Sequence, residues 1–478
     1  MSVVRRVAGD ETSVEREALK RAVIHAFAHL HGLDSSGIGA TKSVDDLRRA
    51  LGRKLDQDGV DPAQVIDELV ADVRGGLNHS QSGRFFGWVI GGGLPAAIGA
   101  DWLTTVWDQN AGLYATSPAA AVVEEVAGAW LRDLFDLPAE TSFAFTTGTQ
   151  MAHVTCLAAA RHAVLAKRGW NVELAGLCGA PPIRILANAD RHNSVDRAVR
   201  MLGLGTSSIE ELPVESNGRV ASDTLASALS RSDVATIVVL QAGELNRAVF
   251  DTFHALAPIA RAAGAWVHVD GAFGLWAKAC PQTRSLVEGI ELCDSWTTDA
   301  HKYLNVPYDC GIAFVRDAAS HRNAMTVSAS YLPADGSARD QIDWNPEFSR
   351  RARGFAVYAA LRQLGRQGLS DLVARTRHHA RALVEGIGAL DGAEVVATSS
   401  LNQGLVRFLS PMDGAADFDH DRRTDDVIAT INRDGEAFFG GVTWRGRRAM
   451  RISVSNWRTT DEDVARAIEA VRDALRKV

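Results

Sequence analysis

The chain has 478 residues, which is long for one ordinary domain, so its length predicts two or three folded units. Its content of 46% hydrophobic and 23% charged residues is typical of a globular protein, and no run of about 18 apolar residues predicts a membrane span. The net charge of −7 gives no electrostatic support for a nucleic-acid or anionic-membrane partner. Five cysteines without a Cys-x-x-Cys pair argue against a disulfide framework or a zinc site and favour a cytoplasmic location.

Hydrophobic periodicity and turn residues predict the order of helices and strands along the chain. Helices are predicted over residues 11–31, 43–57, 62–73, 119–135, 151–168, 195–202, 350–365 and 370–390 and from 461 onward. Strands are predicted from residue 143 and over 184–189, 234–241, 266–269, 294–298, 311–315, 404–409 and 449–454. The alternation between 143 and 315 predicts a mostly parallel sheet with helices on both faces. We therefore predict an N-terminal helical segment (1–92), a large α/β domain (93–350) and a small α+β domain (351–478).

The first predicted strand breaks at Gly148 and leads into a helix. Free N–H groups and the helix dipole at such a turn make a site for an anion. Thr147, Thr149 and Gln150 surround the glycine. The stretch has neither GxGxxG spacing nor a P-loop lysine, so a single phosphate is favoured over a dinucleotide or ATP.

Two polar residues follow later predicted strands. His192 stands after the strand 184–189, where the simpler interpretation is a surface histidine that caps a helix. Asp270 stands at the end of the run 266–269. The carboxyl edge of a parallel sheet is where ligands bind, and a carboxylate there suits a pyridine nitrogen. An aspartate that caps the turn before Gly271 is the competing interpretation.

Lys302 lies in the stretch 297–309, between two predicted buried strands. Desolvating an ammonium group is costly, so lysine is seldom buried without a role. Desolvation also lowers the pKa of the amine, and the neutral amine can condense with an aldehyde. Taken alone, a structural or surface lysine is the simpler interpretation. Lys302 and Asp270 together are a more specific indication of a ligand site than either residue alone.

These motifs together resemble the group II pyridoxal-phosphate-dependent amino-acid decarboxylases, the family of aromatic-amino-acid, histidine and glutamate decarboxylases. The matching pieces are residues 268–272, 299–302, 147–149, 190–194 and 331–332, in the order and spacing of the family. The resemblance extends from about Asn78 to the C-terminus. It implies fold type I of the pyridoxal-phosphate enzymes and a homodimer with active sites at the interface, in which the N-terminal helices wrap over the partner.

The resemblance also assigns roles to residues. It implies that Lys302 holds the cofactor as a Schiff base, that Asp270 pairs with its ring nitrogen, and that His192 stacks on its ring. Tyr331 matches a loop tyrosine proposed to protonate Cα in decarboxylases, where aldehyde-forming relatives have phenylalanine. The cofactor-binding residues implied in this way are Thr147, Gly148, Thr149, Gln150, His192, Asn246, Asp270, Ala272, Asp299, His301 and Lys302.

The stretch 242–247 departs from the family pattern. The family has Gly-Thr-Thr here, with the second threonine near the phenolic oxygen of the cofactor. Leu245 occupies that position and cannot make the hydrogen bond, so Asn246 is the candidate substitute.

Aromatic residues favour an aromatic or large apolar amino acid as substrate, although aromatic side chains are also common core fillers. The predicted pocket residues are Phe86, Trp88, Asn110 and Tyr114, with Phe85 beside them. Packing at the entry to a helix is the competing interpretation of Asn110 and Tyr114.

Decarboxylation to an amine is the predicted reaction. The nearer alternative is another pyridoxal-phosphate outcome, an aldehyde-forming oxidative reaction or a lyase. The farther alternative is a non-catalytic scaffold with the same fold, which the presence of Lys302, Asp270, His192 and Tyr331 argues against.

Overall fold

The computed structural model describes residues 14–55, 57–231, 233–327 and 338–478. The helices are α1 (Val14–Gly32), α2 (Val44–Leu51), α3 (Pro62–Val73), α4 (Pro95–Trp107), α5 (Pro118–Leu134), α6 (Thr149–Ala166), α7 (Val172–Ala175), α8 (Asn193–Met201), α9 (Ser222–Ser230), α10 (Phe253–Ala262), α11 (Ala318–Met325), α12 (Gly354–Gly388), α13 (Asp417–Asp434) and α14 (Asp461–Lys477). The strands are β1 (Ser142–Thr146), β2 (Ile183–Asn188), β3 (Ile209–Leu212), β4 (Ala235–Gln241), β5 (Trp266–Asp270), β6 (Ser295–Asp299), β7 (Gly311–Val315), β8 (Ala393–Ala397), β9 (Gln403–Phe408), β10 (Gly440–Trp444) and β11 (Arg447–Ser453).

The large sheet has seven strands in the order β1-β7-β6-β5-β4-β2-β3. Strand β7 is antiparallel to both of its neighbours, and the strands from β6 to β3 are parallel. Every residue of β4, β5 and β6 is buried, as expected for apolar strands that are covered on both faces. The predicted α/β class with a mostly parallel sheet is confirmed.

Helices cover both faces of this sheet and form two separate cores. Helices α6 and α8 pack on one face, where small residues such as Ala152 and Ala198 allow close approach to the strands. Helices α5, α9, α10 and the first part of α12 pack on the other face. The layered arrangement leaves the carboxyl ends of β4, β5 and β6 on one edge, where ligands bind in such folds.

A second sheet, in the order β10-β11-β9-β8, is antiparallel and lies near the C-terminus. Helices α13 and α14 and the later part of α12 pack on it in a third core. We predicted two helices over 350–365 and 370–390, and α12 consists of two helical segments that meet at a break at Gly365. Gly365 has φ 60° and ψ −175°, a conformation that glycine adopts readily because it has no Cβ.

The N-terminal helices carry many exposed apolar side chains. The predicted helix over 43–57 is shorter than expected, because α2 ends at Leu51 and Gly52 follows. The exposed apolar residues of α1, α3 and α4 are Leu19, Val23, Ile24, Phe27, Val65, Leu69, Trp102, Leu103, Val106 and Trp107. Within the described part of the chain, no helix is both long and apolar enough to cross a membrane. The domain boundaries at residues 92 and 350 stay predictions.

Candidate active site

Lys302 lies on the loop between β6 and β7, directly after the carboxyl end of β6. Its Nζ is 2.9 Å from Oδ2 of Asp299, the last residue of β6. Burial works to raise the pKa of Asp299, but the charges of Lys302 and His301 lower it below its ordinary value. The ammonium group of Lys302 is therefore paired with a carboxylate and not enclosed by apolar groups, which differs from the surroundings that we expected from the sequence.

Asp270 ends β5, next to β6 in the sheet. Its Oδ1 accepts a hydrogen bond from the backbone N–H of Ala272 at 3.2 Å. Its Oδ2 is 3.5 Å from Nε2 of His153. Burial works to raise the pKa of Asp270, but His153 and His192 hold it below the ordinary value of an aspartate. The structure therefore presents an ionised, mostly buried carboxylate at the ligand-binding edge.

His192 is the N-cap residue of α8, and its Nδ1 accepts a hydrogen bond from the backbone N–H of Ser194 at 3.2 Å. Burial lowers the pKa of His192, the charge of Asp270 opposes this shift, and the charge of Lys302 adds to it. The residue is thus a helix cap, as the simpler interpretation of the sequence held. It also lies within the electrostatic field of Asp270 and Lys302, so the structure brings these three predicted residues together.

The turn at Gly148 leads from β1 to the N-terminus of α6 and adopts φ 145°. A Cβ on the neighbouring Gly311 would lie 2.3 Å from the carbonyl carbon of Gly148, so the two backbones approach closely. The hydroxyl of Thr149 is buried and has no hydrogen-bond partner among the described residues. Its backbone N–H donates to Oδ1 of Asp299 at 2.7 Å, which ties the turn to the lysine loop. An unpartnered hydroxyl at a helix N-terminus fits a phosphate group.

The other residues of this edge hold the two loops in place. Gln150 donates from Nε2 to the backbone oxygen of Ser194 at 3.2 Å and so connects α6 with α8. His301 accepts at Nδ1 from the backbone N–H of Cys310 at 3.1 Å and stacks on Tyr308 with 4.3 Å between ring centroids. The predicted residues Thr147 and Ala272 lie on the turns that follow β1 and β5, respectively.

Residues 242–247, which depart from the family pattern, form a turn whose hydrogen bonds are made within the turn itself. Glu244 is fully buried, and its carboxylate accepts from the backbone N–H groups of Asn246 (2.7 Å) and Arg247 (2.9 Å). The side-chain amide of Asn246 also donates to it, at 2.7 Å. Burial raises the pKa of Glu244. Glu244 thus stabilises the turn from within, and the hydrogen bond of Asn246 to the cofactor stays a prediction.

The four residues predicted for a substrate pocket share no hydrogen bond or ring contact with one another in the described part of the chain. Phe86 is fully buried and stacks on Phe439 in the core of the C-terminal unit, so we leave it out of the proposed site. Trp88 is 54% exposed. Asn110 accepts at Oδ1 from the backbone N–H groups of Gly112 and Arg350, and the backbone N–H of Tyr114 donates to Asp340. In the described part of the chain, none of the four shares a hydrogen bond or ring contact with Lys302, Asp270 or His192. Tyr331 lies outside the described residues.

Asn305 is a residue of the lysine loop that sequence reasoning missed. Its buried side chain donates to the backbone oxygens of Tyr303 (2.8 Å) and Ser455 (2.9 Å) and accepts from the backbone N–H groups of Gly92 (2.6 Å) and Trp457 (3.0 Å). Its φ of 52° lies in the left-handed region, which asparagine tolerates well. In the sequence, the only indication of this role is that asparagine tolerates the left-handed conformation better than most residues do. Its function is visible only when segments far apart in the chain are brought together.

Arg451 on β11 was also missed. It is buried, and among the described residues it forms no ion pair and no side-chain hydrogen bond. Burial lowers its pKa to about 10, although the charge of Glu244 opposes the shift. Its positive charge acts on His192. A buried, unpaired guanidinium near the site is available to a carboxylate of a ligand.

Comparison with known proteins gives matches over most of the chain. A profile of the family described as "Pyridoxal-dependent decarboxylase conserved domain" matches residues 45–410. The chain is 26% identical over 419 residues to tyrosine decarboxylase 2 of Arabidopsis thaliana, covering 86% of this chain and 76% of that one. It is 27% identical over 390 residues to L-2,4-diaminobutyrate decarboxylase of Rhizobium meliloti (strain 1021), covering 80% and 76%. The crystal structure of Oryza sativa TDC with PLP and tryptamine superposes with a TM-score of 0.90 at 23% identity, covering 98% of this chain and 99% of that one.

The architecture is that of the fold-type-I enzymes, the class that places pyridoxal phosphate at the carboxyl edge of a mostly parallel sheet. The residues present fit that cofactor, because an ionised carboxylate, a lysine and an unpartnered hydroxyl at a helix N-terminus share one edge. Within this class, the chain belongs to the family of pyridoxal-dependent decarboxylases, and it is a pyridoxal-phosphate-dependent carboxy-lyase.

Proposed function

We propose that the protein decarboxylates an L-amino acid with an aromatic or large apolar side chain and releases the amine and carbon dioxide. The observation that carries the proposal is the meeting of Lys302, Asp270 and His192 at one sheet edge in a chain of this family. The activity of the relative named tyrosine decarboxylase supports the aromatic substrate class.

When bound, pyridoxal phosphate supplies an electron sink for the electron pair that is released at Cα. Lys302 would hold the cofactor covalently, and Thr149 and the N-terminus of α6 would bind its phosphate. The ionised carboxylate of Asp270 would keep the ring nitrogen protonated. Because the pKa of His192 is lowered, its ring is neutral at pH 7 and presents a flat, uncharged face to the cofactor.

A lysine variant tests whether the chain is an enzyme or a scaffold. Lys302→Ala removes the covalent anchor, so we expect loss of the visible absorbance of bound cofactor and a fall in amine release of several orders of magnitude. Borohydride treatment of the wild type should abolish both together. Amine release near the wild-type rate in the variant would remove Lys302 from the reaction. An absence of absorbance and amine release in the wild type would favour the scaffold.

The product is tested at Tyr331. In our proposal its phenol delivers the proton that replaces carbon dioxide at Cα, and its ring excludes water and oxygen. Tyr331→Phe keeps the ring and removes the proton, so under air the products should shift from amine towards aldehyde, ammonia and peroxide. An unchanged ratio of amine to aldehyde would assign the proton to another group. Aldehyde as the main product of the wild type would favour the aldehyde-forming alternative.

The unpaired guanidinium of Arg451 favours a second candidate substrate class, amino acids whose side chain ends in a carboxylate. A screen of the twenty amino acids for amine and carbon dioxide separates the two classes. If the substrate is acidic, Arg451→Met should raise KM for it by about tenfold or more, because a charge-assisted hydrogen bond is lost. If the substrate is aromatic, the same variant should leave KM within about twofold.

We also propose that the protein acts as a homodimer with active sites at the interface. The exposed apolar side chains of α1, α3 and α4 support this, since monomeric proteins rarely expose large apolar patches. Sedimentation of an active monomer at assay concentration would contradict it. The five cysteines are all free, which supports a cytoplasmic location.

A further inference from the structure

A row of buried side chains leads away from Asp270 and connects β5, β6 and α6. The indole N–H of Trp266 donates to Oγ of Ser295 at 2.9 Å, and this oxygen lies 2.9 Å from Nδ1 of His268. Nε2 of His268 lies 2.9 Å from Nδ1 of His153. Nε2 of His153 faces Oδ2 of Asp270 at 3.5 Å and has no hydrogen-bond partner among the described residues. Both histidines and the serine are fully buried. The row therefore meets the candidate active site at Asp270.

The positions of the protons along this row follow from the acceptor at one end, the carboxylate of Asp270, and the donor at the other, the indole N–H of Trp266. An ionised carboxylate only accepts hydrogen bonds, so the proton of His153 belongs on Nε2. When its single proton is on Nε2, the ring of His153 accepts at Nδ1, so His268 donates to it from Nε2. Nδ1 of His268 in turn accepts from the hydroxyl of Ser295, whose oxygen accepts the N–H of Trp266. Burial lowers the pKa of His268 well below its ordinary value, which agrees with a neutral ring.

We propose that His153 directs the proton of its Nε2 at the carboxylate of Asp270, and that His268 and Ser295 are positioning residues that fix His153 in this tautomer. The inference rests on the proposed pairing of Asp270 with the ring nitrogen of the cofactor. Without His268, the ring of His153 is free to take the other tautomer. That tautomer turns an unprotonated nitrogen towards the carboxylate, and two acceptors then face each other.

The geometry distinguishes this role from simple filling of the core. Four polar groups in an apolar core need only satisfy one another, and their loss would then lower stability alone. Here the last group of the row faces the carboxylate that would hold the cofactor, and each residue can act on that carboxylate only through the next one. The two interpretations predict different results for the affinity of the holoenzyme for its cofactor.

The dissociation constant of pyridoxal phosphate, measured by equilibrium dialysis of the full chain, is the main readout. His153→Leu should weaken binding by about tenfold, because it removes the N–H group that faces the carboxylate of Asp270. His153→Gln should stay near the wild type, because the amide nitrogen of glutamine can donate from the same place. His268→Leu and Ser295→Ala should each weaken binding by about threefold, since they act at a distance. The double variant His153→Leu/His268→Leu should bind no more weakly than His153→Leu alone.

Controls separate this inference from the proposed function. His162 also lies on α6, where it pairs with Glu173 at 2.6 Å, so His162→Leu removes a histidine of that helix and should leave cofactor binding unchanged. Asp270→Asn should weaken binding at least as much as His153→Leu. If Asp270→Asn has no effect, the proposed role of Asp270 is wrong. If Asp270→Asn weakens binding and His153→Leu does not, only the present inference is overturned.

Two further results would overturn it. Effects of His153→Leu and His268→Leu that multiply in the double variant would show independent action. In holoenzyme labelled with 15N-histidine, nitrogen chemical shifts should show His268 protonated at Nε2. Protonation at Nδ1 would mean that every hydrogen bond of the row runs in the opposite direction, which would contradict the inference. Ser295→Ala removes a single hydroxyl, so it keeps the test available if a leucine variant fails to fold.

Discussion

Replacement of Asn305 is the most demanding test of how the lysine loop is held. The side chain of Asn305 joins three segments, because it bonds to its own loop, to Gly92 of the N-terminal segment and to Ser455 and Trp457 of the C-terminal unit. Asn305→Ala removes all of these hydrogen bonds at once. The backbone N–H groups of Gly92 and Trp457 are then left without their acceptor in the interior of the protein.

The expected loss of stability follows from these contacts. A buried N–H without an acceptor costs about 1–3 kcal/mol, so the two groups together cost about 2–6 kcal/mol. The left-handed conformation at φ 52° adds about 1 kcal/mol for alanine, which tolerates it less well than asparagine does. Asn305→Ala should therefore lower the free energy of unfolding by about 3–7 kcal/mol. That is a large part of the 5–15 kcal/mol that is typical of a folded protein.

Urea-induced unfolding of wild type and variants at equal protein concentration measures this loss. Asn305→Gly loses the same hydrogen bonds without the backbone strain, so it should be about 1 kcal/mol more stable than Asn305→Ala. Asn217→Ala is the matched control, because Asn217 makes its hydrogen bonds to Glu215 and Arg219 in an exposed turn and should change stability by less than about 0.5 kcal/mol. Equal unfolding midpoints for Asn305→Ala and Asn217→Ala would refute the reasoning.

Three more predictions follow from other parts of the structure. Gly311→Ala should weaken cofactor binding in a dialysis assay, because its Cβ would displace the turn before α6, whereas Gly440→Ala has open space around its Cβ and should bind normally. Arg350→Met leaves the fully buried Glu124 without its partner at 2.8 Å, so urea unfolding should show a loss of about 3–5 kcal/mol, and a loss below 1 kcal/mol would contradict this. Burial raises the pKa of Asp251 to about 6, so its contribution to stability is complete below pH 3.8 and is lost as the pH rises through 6. From pH 5 to pH 8 the wild type should lose about 1.5 kcal/mol relative to Asp251→Asn, and parallel pH profiles of the two proteins would contradict this.

The central strands and the lysine loop were predictable because their sequence signals are local. The apolar runs of β4, β5 and β7 identify buried strands, and Asp270 and Lys302 stand at strand ends that can be read from the sequence. Strand β3 was missed, because Glu210 and Glu211 interrupt its apolar pattern at the edge of the sheet.

Helices α13 and α10 were harder to predict for similar reasons. Helix α13 was missed because acidic and basic residues fill its first two turns. Helix α10 was missed, and it contains Pro258, which usually ends a helical pattern.

The contacts that complete the site were not predictable, because they join residues far apart in the chain. His153 stands on a helix rich in alanine, where a single histidine carries no signal of a partner 115 residues away. The same holds for Arg350, which reaches across 226 residues to Glu124. Such pairs exist only after the sheet has formed.

The support of the lysine loop also has a consequence for synthesis of the protein. Asn305 needs Ser455 and Trp457, which leave the ribosome 150 and 152 residues later. At about 5–20 residues per second, this interval lasts about 8–30 s. During that time the strands β1 to β7 are already available for pairing, whereas the turn that carries Lys302 has not yet formed its contacts with Ser455 and Trp457. A nascent chain therefore gains its sheet early and completes the loop of Lys302 only after Ser455 and Trp457 have been synthesised.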